Sequence, residues 1–195
     1  MDVLCQAIPV PEQLGRARLR ELTERDDYRL YALQLNDIVA GMAILYLPGR
    51  QDFAWLDYMA TSPDERGRGL GSALFRGLLK IVTQERPAAG CLIFEVDDAG
   101  DELEPAGAIN QRRIEFYRRL GARLLANLDY LFPSPNGPAV PMRLMVCCLR
   151  DDVRVSQETM GSAIEEIFVA IHGRAKSDPL LRSIVDHLPS ELLLQ

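Results

Sequence analysis

Apolar and polar residues alternate from Tyr28 to Leu35 (YRLYALQL), run nearly unbroken from Ile38 to Leu47, and resume from Phe53 to Thr61. Alternation at period two and short apolar runs bounded by turn residues are strand patterns. Asn36-Asp37 separates the first two runs, which predicts a hairpin, and Pro48-Gly49 ends the second. Ahead of them, Leu14, Ala17, Leu19 and Leu22 recur at roughly helical spacing within Pro11 to Arg25, a short helix. After the third strand the period changes. Leu70, Ala73, Leu74, Leu78, Ile81 and Val82 fall on one face of a helix, stopped by Pro87 and Gly90. Cys91 to Val96 (CLIFEV) is then a buried strand. Strand, helix, strand over this length is a βαβ unit, two parallel strands joined by a right-handed crossover.

Downstream, the acidic stretch Asp97 to Gly107 reads as a solvated loop, and Ile109 to Leu120 as a second helix capped by Gly121. Two strands flank the Pro/Gly-rich loop Pro133 to Pro141, the last of them Met142 to Leu149. From Ser156 the pattern is helical again, with an apolar stripe of Ile164, Ile167, Phe168 and Ile171 and a short segment from Leu180 to Leu188. Such a stripe suits packing on the sheet or against a second copy, which leaves a homodimer open. The fold class is α/β: a mixed sheet with an antiparallel N-terminal half and a central βαβ unit. A domain over residues 1–150 carries a helical extension over 151–195.

With 195 residues and 48% hydrophobic content, the chain buries a core without disulfide or metal staples. A net charge of −6 argues against nucleic acid as the main partner. The N-terminus lacks the basic-then-apolar pattern of a signal peptide, and the longest apolar run is about half of what a membrane span needs. The expectation is a cytoplasmic protein that does not engage the membrane. Cys5, Cys91, Cys147 and Cys148 show no CxxC spacing. The vicinal pair lies on a strand, whose neighbours point to opposite faces, so these read as separate structural thiols in a reducing compartment. His172 and His187 lie near no carboxylate–histidine motif, so no metal site is expected.

The chemistry concentrates at Arg66-Gly67-Arg68-Gly69-Leu70-Gly71, between a strand and a helix N-terminus. Alternating glycines let the backbone turn tightly and approach a ligand. The first-turn amides of the helix have no internal partners and, with the helix dipole, favour an anion. Arg66 and Arg68 add positive charge beside it, which suits a phosphate or pyrophosphate. No Gly-Lys-Ser/Thr follows, so this is not a Walker A loop, and the glycine spacing differs from the dinucleotide fingerprint.

The segment TSPDERGRGLGSAL resembles motif A of the GCN5-related N-acetyltransferases, the GNAT superfamily, with Arg66, Gly69 and Gly71 at the motif positions. A second segment, NQRRIEFYRRLGA, is similar to the family's Asn-x-x-Ala-x-x-x-Tyr helix followed by Leu-Gly. Asn110, Tyr117, Leu120 and Gly121 match it, while Arg113 stands where alanine is usual. The resemblance implies acetyl-CoA as cosubstrate. It also implies splayed parallel strands: the strand before motif A parts from its parallel neighbour, and pantetheine lies in the gap, paired with the backbone of Met59, Ala60 and Thr61, where an amide at Met59 or Ala60 would polarise the thioester carbonyl. The amides of Arg66, Gly67, Arg68, Gly69, Leu70, Gly71 and Ser72 would hold the pyrophosphate. Tyr117 would protonate the departing thiolate; Asn110 would sit near the pantetheine or cap its helix.

An amine must lose a proton to attack, and Asp57 and Glu95 are carboxylates inside apolar strands, where burial unpaired is costly. Each is a candidate base or substrate anchor, directly or through water, with a structural ion pair as the alternative. Strand alternation puts Asp57 on one face with Trp55 and Met59. The implied activity is direct acetyl transfer to a primary amine of a small molecule or peptide in a ternary complex. The other reading is a catalytically silent module of the same fold that senses acyl-CoA or binds a partner.

Overall fold

The computed structural model describes residues 16–49, 51–100, 104–134 and 137–195. The chain divides into two compact units, Met1–Ala89 and Gly90–Gln195. Elements follow the expected order, and the α/β class with an antiparallel N-terminal half is what the structure shows.

In the first unit, helix α1 (Arg16–Thr23) precedes strands β1 (Tyr28–Leu35), β2 (Ile38–Tyr46) and β3 (Phe53–Thr61), each antiparallel to the next. The start expected for α1, from Pro11, lies outside the described residues. Asn36 (φ 49°) and Asp37 (φ 64°) both take the left-handed conformation that a two-residue hairpin turn requires. Beneath the sheet, Tyr28 and Tyr46 stack at 5.1 Å, and the Arg25 guanidinium lies 4.9 Å from the Tyr28 ring centre. Asp27 holds that guanidinium with two hydrogen bonds of 2.8 Å.

Helix α2 (Leu70–Glu85) buries Leu74, Phe75, Leu78 and Val82. Ala73, expected in this stripe, is exposed, and Phe75 takes its place. The larger ring gains far more from burial than a methyl group, so it sets the rotation of the helix. A Cβ at Gly41 of β2 would stand 3.2 Å from the Ala60 carbonyl and 3.4 Å from Leu74 Cδ2. Glycine there lets helix and strand approach closely.

The β2–β3 ladder skips a residue. Leu45 faces Leu56 and Ile44 faces Tyr58, so Asp57 is the extra residue of a β-bulge. The bulge breaks the simple alternation assumed from sequence. Trp55, opposite Tyr46, and Met59, opposite Ala43, now lie on opposite faces of the sheet.

The second unit centres on β7 (Val140–Cys148), paired antiparallel with β4 (Cys91–Asp97) on one side. On its other side lie β5 (Arg123–Leu124) and β6 (Tyr130–Phe132). Helix α3 (Pro105–Arg118) starts four residues before the expected Ile109. Pro105 occupies the first turn, where its missing N–H costs nothing and its fixed φ suits the helix. The acidic stretch therefore ends in helix rather than loop. At the far end Gly121 (φ 94°) donates to the Arg118 carbonyl and Ala122 to that of Tyr117, a Schellman stop as expected.

Helix α4 (Gln157–Ala170) is capped by Ser156, whose hydroxyl accepts from the Thr159 amide at 3.0 Å. Met160, Ala163, Ile164, Ile167 and Phe168 are fully buried, and Ile171 only partly. This stripe belongs to the chain's own core, so it offers no surface to a second copy. Helix α5 (Pro179–Asp186) follows. Gln195 and Leu124 then exchange both backbone hydrogen bonds, at 2.7 and 2.9 Å, a pairing the helical reading of this segment missed. No described helix is long and apolar enough to cross a membrane.

Candidate active site

The turn after β3 carries the anion-binding features. Pro63–Glu65 forms one 3₁₀ turn, then Gly67 and Gly69 both adopt φ 77°. That conformation costs an L-residue roughly 1–2 kcal/mol, which is why glycine stands at both places. Gly69 is the N-cap of α2, and no described side chain caps that end. The first-turn amides therefore remain available to an external acceptor. Arg66, Gly67, Arg68 and Gly69 are all exposed. A Cβ built at Gly67 or Gly69 would meet no heavy atom within 4 Å, so the approach is open. A pyrophosphate fits such a cradle.

Arg68 departs from expectation. Its guanidinium is paired with Glu65 across the turn, so its charge is largely balanced locally. Arg66 is exposed on the same turn and makes the stronger candidate for a direct phosphate contact.

Met59, Ala60 and Thr61 end the strand that feeds this turn; Ala60 is buried, while Met59 and Thr61 are partly exposed. They pair with Ala43, Met42 and Gly41 of β2. Leu70, Gly71 and Ser72 form the first turn of α2 and are partly exposed. Asp57, partly exposed at the bulge, lies two residues before Met59 in the same strand.

In the second unit Tyr117 sits on the inner face of α3, its ring 4.6 Å from Phe94 and 5.0 Å from Phe116. Burial pushes its phenol up to about 12, with the nearby Arg113 charge opposing. Tyr117 thus keeps its proton at neutral pH, the state a proton donor needs. Glu95 is the next residue along β4 from Phe94, so its side chain leaves the opposite face. There its Oε1 accepts a short hydrogen bond from the Tyr130 hydroxyl. Burial first, then the Glu95 charge, raises the Tyr130 phenol well above its ordinary value. Tyr117 and Glu95 therefore approach β4 from opposite faces.

Asn110 does not cap its helix, a place taken by Glu104. Its Nδ2 donates to the Asp98 carbonyl at 3.0 Å and ties the incoming loop to α3. Arg113, at the position where the motif usually has alanine, pairs with Asp97 at the end of β4. Sequence reasoning missed Tyr130 as a partner of Glu95. The two are 35 positions apart, and only the shared neighbour β7 brings them together. Among the described residues no group of three or more His, Cys, Asp or Glu could hold a metal ion.

The sequence matches the model of the acetyltransferase (GNAT) family over residues 4–122. A putative acetyltransferase of the GNAT family from Bacteroides thetaiotaomicron has a similar structure, with a TM-score of 0.72 at 21% identity, covering 89% of this chain and 90% of that one. The ribosomal-protein-S18-alanine N-acetyltransferase from Escherichia coli gives 0.57 at 20% identity, over 78% and 89%. A GNAT family acetyltransferase from Elizabethkingia anophelis with acetyl-CoA bound gives 0.53 at 15% identity, over 75% and 88%. No curated protein sequence matches the chain.

Proposed function

The chain belongs to the acetyltransferase (GNAT) family, and from that premise we propose that it transfers acetyl from acetyl-CoA to a primary amine by direct attack in a ternary complex. The observation that carries this reading is the turn at Gly67 and Gly69, whose paired left-handed glycines open onto an uncapped helix N-terminus. Amides of residues 66–72 hold the pyrophosphate, with Arg66 beside them. Backbone groups of Met59, Ala60 and Thr61 hold the pantetheine, and the Met59 or Ala60 amide polarises the thioester carbonyl. Tyr117, kept protonated by burial, supplies a proton to the thiolate that leaves. Asp57 or Glu95 takes the amine proton, directly or through water. Asn110 holds the loop at the start of α3 against Asp98, which steadies that helix near the pantetheine. The acceptor is a small-molecule or peptide amine, and the cytoplasm is the expected place of action.

A thermal-shift titration with acetyl-CoA, CoA, ATP and NAD tests the cosubstrate. A ligand that binds only the folded state raises the melting temperature as its concentration passes Kd. Acetyl-CoA and CoA should raise it, ATP and NAD should not, and Gly69→Glu should abolish the rise. No shift with acetyl-CoA at millimolar concentration would reduce the motif to a structural turn. A shift without thiol release from any member of an amine library would favour the acyl-CoA-sensing module.

A further inference from the structure

Cys91 opens β4 and Cys148 closes β7, and the ladder sets them directly opposite each other. The next pair outward is joined by a hydrogen bond of 2.9 Å from the Leu149 amide to the Gly90 carbonyl. In an antiparallel ladder hydrogen-bonded and non-hydrogen-bonded pairs alternate, so Cys91 and Cys148 form a non-hydrogen-bonded pair. Their side chains leave the same face, with Cα atoms about 4.5 Å apart in such pairs. A disulfide spans Cα separations of about 4.4–6.8 Å. The two thiols thus stand within bonding reach, at the tight end of that window.

Their exposure differs in a useful way. Cys148 is exposed, whereas Cys91 is 1% exposed. One sulfur meets solvent oxidants and the other waits beside it. Cys147 sits opposite Leu92 on the other face, buried, with burial pushing its thiol up to about 11. It cannot compete for either partner.

We propose that Cys91 and Cys148 form a reversible intrachain disulfide on exposure to hydrogen peroxide. The Cys148 thiolate attacks one oxygen of hydrogen peroxide; the O–O bond breaks, the departing hydroxide takes up the proton the thiol gave up and leaves as water, and a sulfenic acid remains. The Cys91 sulfur then attacks the Cys148 sulfur, the S–O bond breaks, and a second water departs. Two thiols and one peroxide thus give one disulfide and two waters, with sulfur oxidised and peroxide oxygen reduced. A bond at the tight end of the window, with one sulfur exposed, is readily reduced again by a dithiol. It would staple the first residue of β4 to the last of β7, locking one end of the second unit. The proposal is independent of acetyl transfer.

Equimolar hydrogen peroxide, added to the purified full chain, tests it through tryptic peptides mapped without reduction. The Cys147→Ala variant makes the linkage unambiguous. We expect a link between the Cys91 and Cys148 peptides, reversal by dithiothreitol, and a higher melting temperature for the oxidised form. Cys148→Ser, a change at an exposed position, should yield no intrachain link. Cys91→Ser should stop at a sulfenic acid on Cys148 that dimedone traps. A link through Cys147, linkage only between molecules, or over-oxidation of Cys148 with Cys91 intact would each overturn the proposal.

Discussion

The Tyr130 hydroxyl donates a hydrogen bond to Oε1 of Glu95, joining a buried phenol on β6 to a half-buried carboxylate on β4. A donated hydrogen bond favours the charged form of a carboxylate and fixes its rotamer. If Glu95 is the base, Glu95→Gln should lower kcat by about 10²–10⁴. Tyr130→Phe should cost less, and should move the acidic limb of the kcat/KM profile to higher pH. Steady-state kinetics over pH checks both. An unchanged profile for each variant would remove Glu95 from the chemistry and leave Asp57.

Tyr117 carries a phenol that burial pushes up to about 12, so it does not ionise in the range where the enzyme is assayed. Tyr117→Phe should therefore lower kcat at every pH without altering an alkaline limb. The loss should be at or below the ~10²–10⁴-fold typical of general acids, because a thiolate leaves readily. Acetyl-CoA binding, read by thermal shift, should persist in the variant.

Gly69 and Gly77, eight residues and about 12 Å apart along α2 at a rise of about 1.5 Å per residue, should respond with opposite sign. Gly77 lies inside α2, and an added Cβ meets no heavy atom within 4 Å. Gly77→Ala should stabilise by ~0.5–1 kcal/mol through the helix backbone. Gly69, at φ 77°, should lose ~1–2 kcal/mol as alanine despite equal open space. Urea denaturation of both variants separates conformation from crowding.

His172 is held largely buried, its ring edge-on to Phe132 at 5.0 Å and to Phe168 at 6.0 Å. Burial first, and Arg174 second, lower it from 6.5 to about 4. The unfolded chain binds this proton more readily, so the contribution is fully present above pH 6.5 and is lost as pH falls toward 4. Stability should drop by at most roughly 1.4 kcal/mol per pH unit from this group. His172→Phe should flatten the stability curve across that window.

Arg68 is engaged by Glu65, which places a carboxylate beside the proposed pyrophosphate amides. Glu65→Gln should release the guanidinium and tighten CoA binding about threefold, in line with the size of an exposed ion interaction. The gain should fade as salt is raised. Calorimetric titration at two ionic strengths checks it.

Much of this was legible along the chain because local patterns dominate where an element meets one partner. β1 and β3 run between the residues expected, since turn signals flank them on both sides. Gly121 closes α3 as its position after the last apolar residue predicts. The misses have a common cause, which is information held by another segment. Asp57 becomes a bulge only because β2 offers one residue too few. Ala73 yields its place to Phe75 because the sheet beneath selects volume. Asn110 is suited to a cap, but Pro105 starts the helix earlier. The pairing of Tyr130 with Glu95 depends on strand order, which no local pattern encodes.

The bulge in β3 also separates two demands on one position. Without residue 57, Leu56 would still meet Leu45 and Tyr58 would still meet Ile44, so every facing pair would survive. The scaffold can be shortened by one residue and heal into a regular ladder. A substitution at this place alters the side chain but keeps the kink; a deletion removes both while sparing the sheet. Comparing the two would show whether activity depends on the carboxylate or on the bend it imposes on the backbone of Met59.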